Sequence, residues 1–120
     1  MVRLQADLPR LGGMSPWAYL AIAIASEVTG TVALRQSDGF TKLTPALIVI
    51  VGYGISFWML ALALRKLDLG VVYAIWAGVG TAAIATIGVI AFDEPTSAIK
   101  LVCILAIVAA VIGLYLSGAG

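Results

Sequence analysis

Histidine is absent from this sequence of 120 residues, and cysteine occurs once, as Cys103. A lone thiol closes no internal disulfide. With no histidine beside it, it has no partner for a cysteine–histidine catalytic pair or a nitrogen–sulfur metal site. A side chain that gains and loses protons under ordinary conditions must therefore be a carboxylate. Charge is scarce as well: 7 Lys and Arg against 6 Asp and Glu leave a net charge of +1. That rules out both a basic face for nucleic acid and an acidic tail. Gly52-x-Gly54 and Gly78-x-Gly80 occur without the strand–turn–helix setting of a nucleotide fingerprint. Neither a cofactor nor a metal is expected, and the chain is read as a non-enzyme.

What the sequence does have is apolar length. Hydrophobic residues make up 62% and charged residues 11%, where soluble domains run at roughly half and a quarter. About 22 uncharged residues lie between Lys42 and Arg65, about 24 between Asp68 and Asp93, and about 20 after Lys100. A helix needs about 20 to cross a bilayer. The stretch from Trp17 to Leu34 is apolar except for Glu27. These runs are continuous rather than alternating, which favours helices over a barrel. The expectation is an all-α membrane protein with four transmembrane helices per chain, at about 17–35, 44–64, 69–92 and 99–117. It is a multi-pass protein of the cell membrane.

The connections carry turn chemistry: Asp38-Gly39 and Pro45 in the first, RKLD at 65–68 in the second, DEPTSA at 93–98 in the third. Residues 1–13 are read as an N-terminal extension, either a tail or a segment upstream of a natural start at Met14. Residues 14–120 are read as one four-helix transmembrane domain. Ala-x-Ala spacings at 21–25 resemble a signal-peptide cleavage site, but the apolar run continues to Leu34 and three further spans follow. An even number of spans puts Arg3, Arg10, Arg65 and Lys66 on one side and Arg35, Lys42 and Lys100 on the other. So small a bias gives little instruction for orientation and is compatible with insertion both ways up.

Glu27 is the feature that demands a reason. A charge at the centre of a spanning helix costs roughly 3 kcal/mol on insertion scales, and intramembrane acids are functional by default. Helical periodicity puts Ala23, Ile24, Gly30 and Thr31 on the face of Glu27. Small residues there leave room beside the carboxylate, and they equally suit close helix packing. In the third span Tyr73, Trp76, Ala77 and Gly80 fall on one stripe, and in the second Tyr53 and Phe57 are one turn apart. Aromatic rings with a carboxylate are the components of a site for a lipophilic cation. Tyr73 also suits the interfacial aromatic belt, an explanation that weakens for the deeper Trp76. Four helices are too few to enclose a bulky cation, so two chains are expected to share one chamber.

These residues resemble the small multidrug resistance family of transporters. The resemblance runs from Met14 onward through SEVTGTVALRQSDGFTKLTP, SFWMLALAL and GVVYAIWAGVG. It implies a proton-coupled antiporter in which Glu27 binds proton and substrate alternately. Ala23, Ile24, Gly30 and Thr31 would line the pocket, with Tyr53, Tyr73 and Trp76 as aromatic walls; Phe57, one turn from Tyr53, is placed in the same pocket by its spacing. Gly78 and Gly80 would be a conformational bend. The partners implied are small organic cations, protons, the lipid bilayer and a second copy of the chain in an antiparallel homodimer. Gly30 resembles the quaternary-ammonium branch, since the guanidinium-exporting branch usually has Trp there. The dimer interface would fall on Cys103, Ala106, Ala109, Ala110 and Gly113. This departs from the two glycines seven apart that the family often carries in its fourth span. Three alternatives stay open: export of guanidinium, a polyamine or another small cationic metabolite; a paired heterodimer; and a non-transporting assembly subunit in which Glu27 is a structural contact.

Overall fold

Pro16 cannot donate a backbone hydrogen bond, and Ser15 before it accepts from the Ala18 N–H at 3.1 Å. That pairing starts the first helix one residue ahead of the expected boundary. The computed structural model describes residues 14–117. Its helices are α1 (Pro16–Gln36), α2 (Leu43–Ala63), α3 (Leu69–Ala91) and α4 (Ala98–Leu116). All four are long and apolar enough to cross a membrane. Each boundary lies within a residue of the expected one. The extension at 1–13 lies outside the described residues.

The chain divides into two compact units, one ending at Leu69 and the other beginning at Gly70. In the first, α1 and α2 pack as an antiparallel hairpin. Their connection is organised by Ser37, which has no exposed surface. Its hydroxyl donates to the Leu34 carbonyl at 2.7 Å and accepts from the Phe40 N–H at 3.0 Å. Its own carbonyl takes the N–H groups of Thr41 and Lys42. These bonds hold Asp38, Gly39 and Phe40 at φ of 50°, 68° and 66°, a left-handed run unfavourable for the two residues with side chains. The Asp-Gly pair is thus a turn, as expected, and Ser37 is what keeps it closed.

The hairpin is tight because of two glycines. A Cβ on Gly52 would lie 3.0 Å from the Ser26 carbonyl oxygen and 3.2 Å from the Gly30 Cα. Backbone faces backbone there, so no side chain can move aside. One turn further along α2, Ser56 is fully buried and donates to the Ala23 carbonyl at 2.7 Å. In the second unit α3 is helical throughout 69–91, with Gly78 directly against Val111 and Ile107 of α4. Ser97 caps α4 by accepting from the Lys100 N–H at 3.2 Å.

Candidate functional site

Glu27 stands midway along α1, half-buried. One turn on, Thr31 donates its hydroxyl hydrogen to Glu27 Oε1 at 2.8 Å. The same Thr31 oxygen lies 2.8 Å from the Tyr53 hydroxyl, which α2 delivers from the facing side. Threonine has a single hydroxyl hydrogen. If that hydrogen goes to the carboxylate, the second bond must run from Tyr53 to Thr31. The three groups then form one directed chain, Tyr53 to Thr31 to Glu27, ending on the ionised acid. A protonated Glu27 has a hydrogen of its own to give, which frees Thr31 to donate to Tyr53 instead.

The close crossing of the two helices sets this geometry. Gly30 is buried, and a Cβ there would fall 2.7 Å from Tyr53 Cδ1 and 2.8 Å from Cε1. The Tyr53 ring occupies the space a side chain at position 30 would need. Phe57 follows one turn along α2, its ring centroid 6.3 Å from that of Tyr53 and tilted by 44°, within the usual range for an aromatic pair.

The structure thus brings together Glu27, Gly30, Thr31, Tyr53 and Phe57. Ala23 and Ile24 are buried on α1, Ala23 completely. Tyr73 and Trp76 sit on α3 in the second unit, Tyr73 exposed and Trp76 half-buried, three residues apart on one stripe with Gly80. The glycines expected to form a bend lie within a continuous α3, where Gly78 meets α4 and Gly80 is buried. Cys103, Ala106, Ala109, Ala110 and Gly113 are all exposed on α4. Ile104, Ile107, Val111 and Leu114 form its more covered stripe. Two residues that sequence reasoning missed are Gly52 and Ser56. Ser56 had a signal, a lone serine deep in an apolar span, where an unpaired hydroxyl is costly. Gly52 had none, since its role depends on which helix it meets.

A groove of about 510 Å³ on the hairpin is lined by Ala25, Ser26 and Thr29 of α1 with Val51, Gly52 and Ile55 of α2, among others. Its lining carries no charge, so it offers nothing to hold a cation. Among the described residues no cluster suits a metal ion.

Residues 15–113 match the family model described as Small Multidrug Resistance protein. The chain belongs to the small multidrug resistance family. It is 43% identical over 100 residues to the uncharacterized membrane protein YvaE of Bacillus subtilis, covering 83% of this chain and 84% of that one. It is 50% identical over 74 residues to the quaternary ammonium compound-resistance protein QacE of Escherichia coli, covering 62% and 67%. It is 38% identical over 103 residues to QacC of Staphylococcus aureus, a protein of the same description, covering 86% and 96%. Membership makes the chain a multi-pass transporter of the cell membrane and not an enzyme.

Proposed function

We propose that the chain is a proton-coupled antiporter exporting lipophilic and quaternary ammonium cations, with proton and cation competing for Glu27. The observation that carries this reading is the Tyr53–Thr31–Glu27 chain, two hydroxyls leading to one carboxylate in mid-span with both links at 2.8 Å. The similarity to the two quaternary ammonium resistance proteins supports the substrate class. So does Gly30, whose missing side chain leaves the Tyr53 ring its place.

The exchange follows from single occupancy. An ionised Glu27 holds the cation by charge, with the Tyr53 and Phe57 rings, and Tyr73 and Trp76 from α3, supplying cation–π faces. A proton arriving at Glu27 removes that charge and the cation leaves. If access alternates only when the site is filled, proton entry on one side drives cation exit on the other. One chain has too few helices to enclose such a substrate, so the functional unit is an antiparallel homodimer with two copies of Glu27. The exposed small-residue stripe of α4 forms its interface. Gly78 and Gly80 let α3 change shape between the two access states.

The test is flux in proteoliposomes driven by a pH gradient. Wild-type protein takes up tetraphenylphosphonium and Glu27→Gln does not, while inserting into the membrane normally. Coupled uptake by Glu27→Gln would remove Glu27 from the mechanism. Guanidinium moved in preference to tetraphenylphosphonium would shift the substrate class, and no flux of any cation would leave a structural subunit.

A further inference from the structure

Gly78 has no side chain of its own, and α4 supplies one in its place. A Cβ on Gly78 would run into Val111 Cγ2 and lie 3.3 Å from Ile107 Cγ2. The Val111 methyl therefore occupies the room that a side chain at 78 would take. Gly70, in the first turn of the same helix, has nothing within 4 Å of that position. Gly78 is thus a seat, and Gly70 is simply open.

The seat is placed behind the aromatic stripe of α3. At about 100° per residue, Gly78 lies roughly 200° around the helix from Trp76 and only about 3 Å further along its axis. Tyr73, Trp76 and Gly80 share one face, and Val111 backs the opposite face at the same level. A mid-span glycine removes a side chain that would resist bending. With Val111 seated, bending toward α4 is blocked by the methyl, and bending away opens a void behind α3. Either departure loses packing that the continuous helix has.

We propose that Val111 is a positioning residue: seated at Gly78, it holds α3 in its continuous form, so that α3 changes shape only as α4 moves with it. This rests on the reading of the chain as a transporter whose α3 changes shape between access states, and it adds what restrains that change. The helix that presents the exposed small-residue stripe is thereby tied to the helix that carries Tyr73 and Trp76.

The test is a size swap across the seat. Gly78→Ala sets a methyl against Val111 and is expected to lower thermal stability in detergent and cut pH-driven tetraphenylphosphonium uptake about tenfold. Val111→Ala keeps only a Cβ, which lies 3.9 Å from the one added at 78, an ordinary van der Waals distance. The double variant, Gly78→Ala with Val111→Ala, is therefore expected to recover both stability and uptake. Val111→Ala alone should speed turnover about fivefold, the packing of roughly one methyl lost from the restraint, without changing tetraphenylphosphonium affinity. Gly70→Ala is the control, and it lowers neither stability nor uptake. If Gly78 served only by its flexibility, alanine there would slow uptake whatever stood at 111, so losses that persist in the double variant overturn the seat. Wild-type turnover in Val111→Ala, or turnover and affinity lost together, overturns the positioning role. Unfolding needs no transported cation, so the two readings fail separately: absent flux in the wild type removes the transport reading, and absent rescue of stability removes the seat.

Discussion

Thr31 has one hydroxyl hydrogen and two neighbours able to receive it. With Glu27 and Tyr53 both at 2.8 Å, the direction of the chain is set by which of them needs a donor more. Removing the middle of such a chain should hurt more than removing its end. Thr31→Val is expected to cut pH-driven uptake about tenfold and Tyr53→Phe about fivefold, on the scale of one hydrogen bond or slightly more. Initial rates in proteoliposomes decide it, and a wild-type rate in Tyr53→Phe would show that the relay ends at Thr31. Trp76 is expected to serve the cation alone. Trp76→Ala should weaken tetraphenylphosphonium binding about fivefold, the size of one partly desolvated cation–π contact. Proton binding to the empty protein, followed by titration, should not change.

At the scale of the helix, the hairpin rests on two glycines that face each other and a serine that spans the gap. Gly52 has backbone atoms on its open side, whereas Gly54 has nothing within 4 Å. The pair is an internal control. Gly52→Ala should destabilise the protein by about 1–3 kcal/mol through forced separation of α1 and α2. Gly54→Ala should be neutral or stabilising by up to about 1 kcal/mol, as expected for an exposed helical glycine. Thermal unfolding in detergent measures both. Gly30 differs again, because its neighbour is a ring and not backbone. A side chain at 30 would force the Tyr53 ring to move, which links this position to the Tyr53–Thr31 bond.

For the molecule as a whole, α4 is the element with the least to do inside its own chain. None of its residues is buried. Its half-covered stripe of Ile104, Ile107, Val111 and Leu114 runs beside an exposed stripe of Cys103, Ala106, Ala110 and Gly113. Small residues on an open membrane helix allow a second helix to approach closely. Gly113→Leu should therefore lower the dimer fraction measured by energy transfer between labelled chains in liposomes, and lower uptake in parallel. Ile112→Leu, at a position already large and exposed, should change neither. An undiminished dimer in Gly113→Leu would move the interface elsewhere.

Chain composition alone determined the class and the element boundaries. Apolar runs near bilayer length, cut by isolated charges and turn residues, leave a helix as the way to satisfy the backbone in lipid. Glu27 stood out for a related reason, since an acid in such a run is costly. Thr31 followed from helical periodicity, which fixes neighbours within one helix. Tertiary structure decided what periodicity has no access to. Tyr53 was legible as an aromatic wall, but its bond to Thr31 depends on how α2 is aligned along α1, and that alignment is set by Gly30 meeting Gly52 and Ser56 meeting the Ala23 carbonyl. The seat of Val111 at Gly78 belongs with these: in the sequence Gly78 is one of two mid-span glycines, and only packing shows that a side chain of α4 occupies its open side.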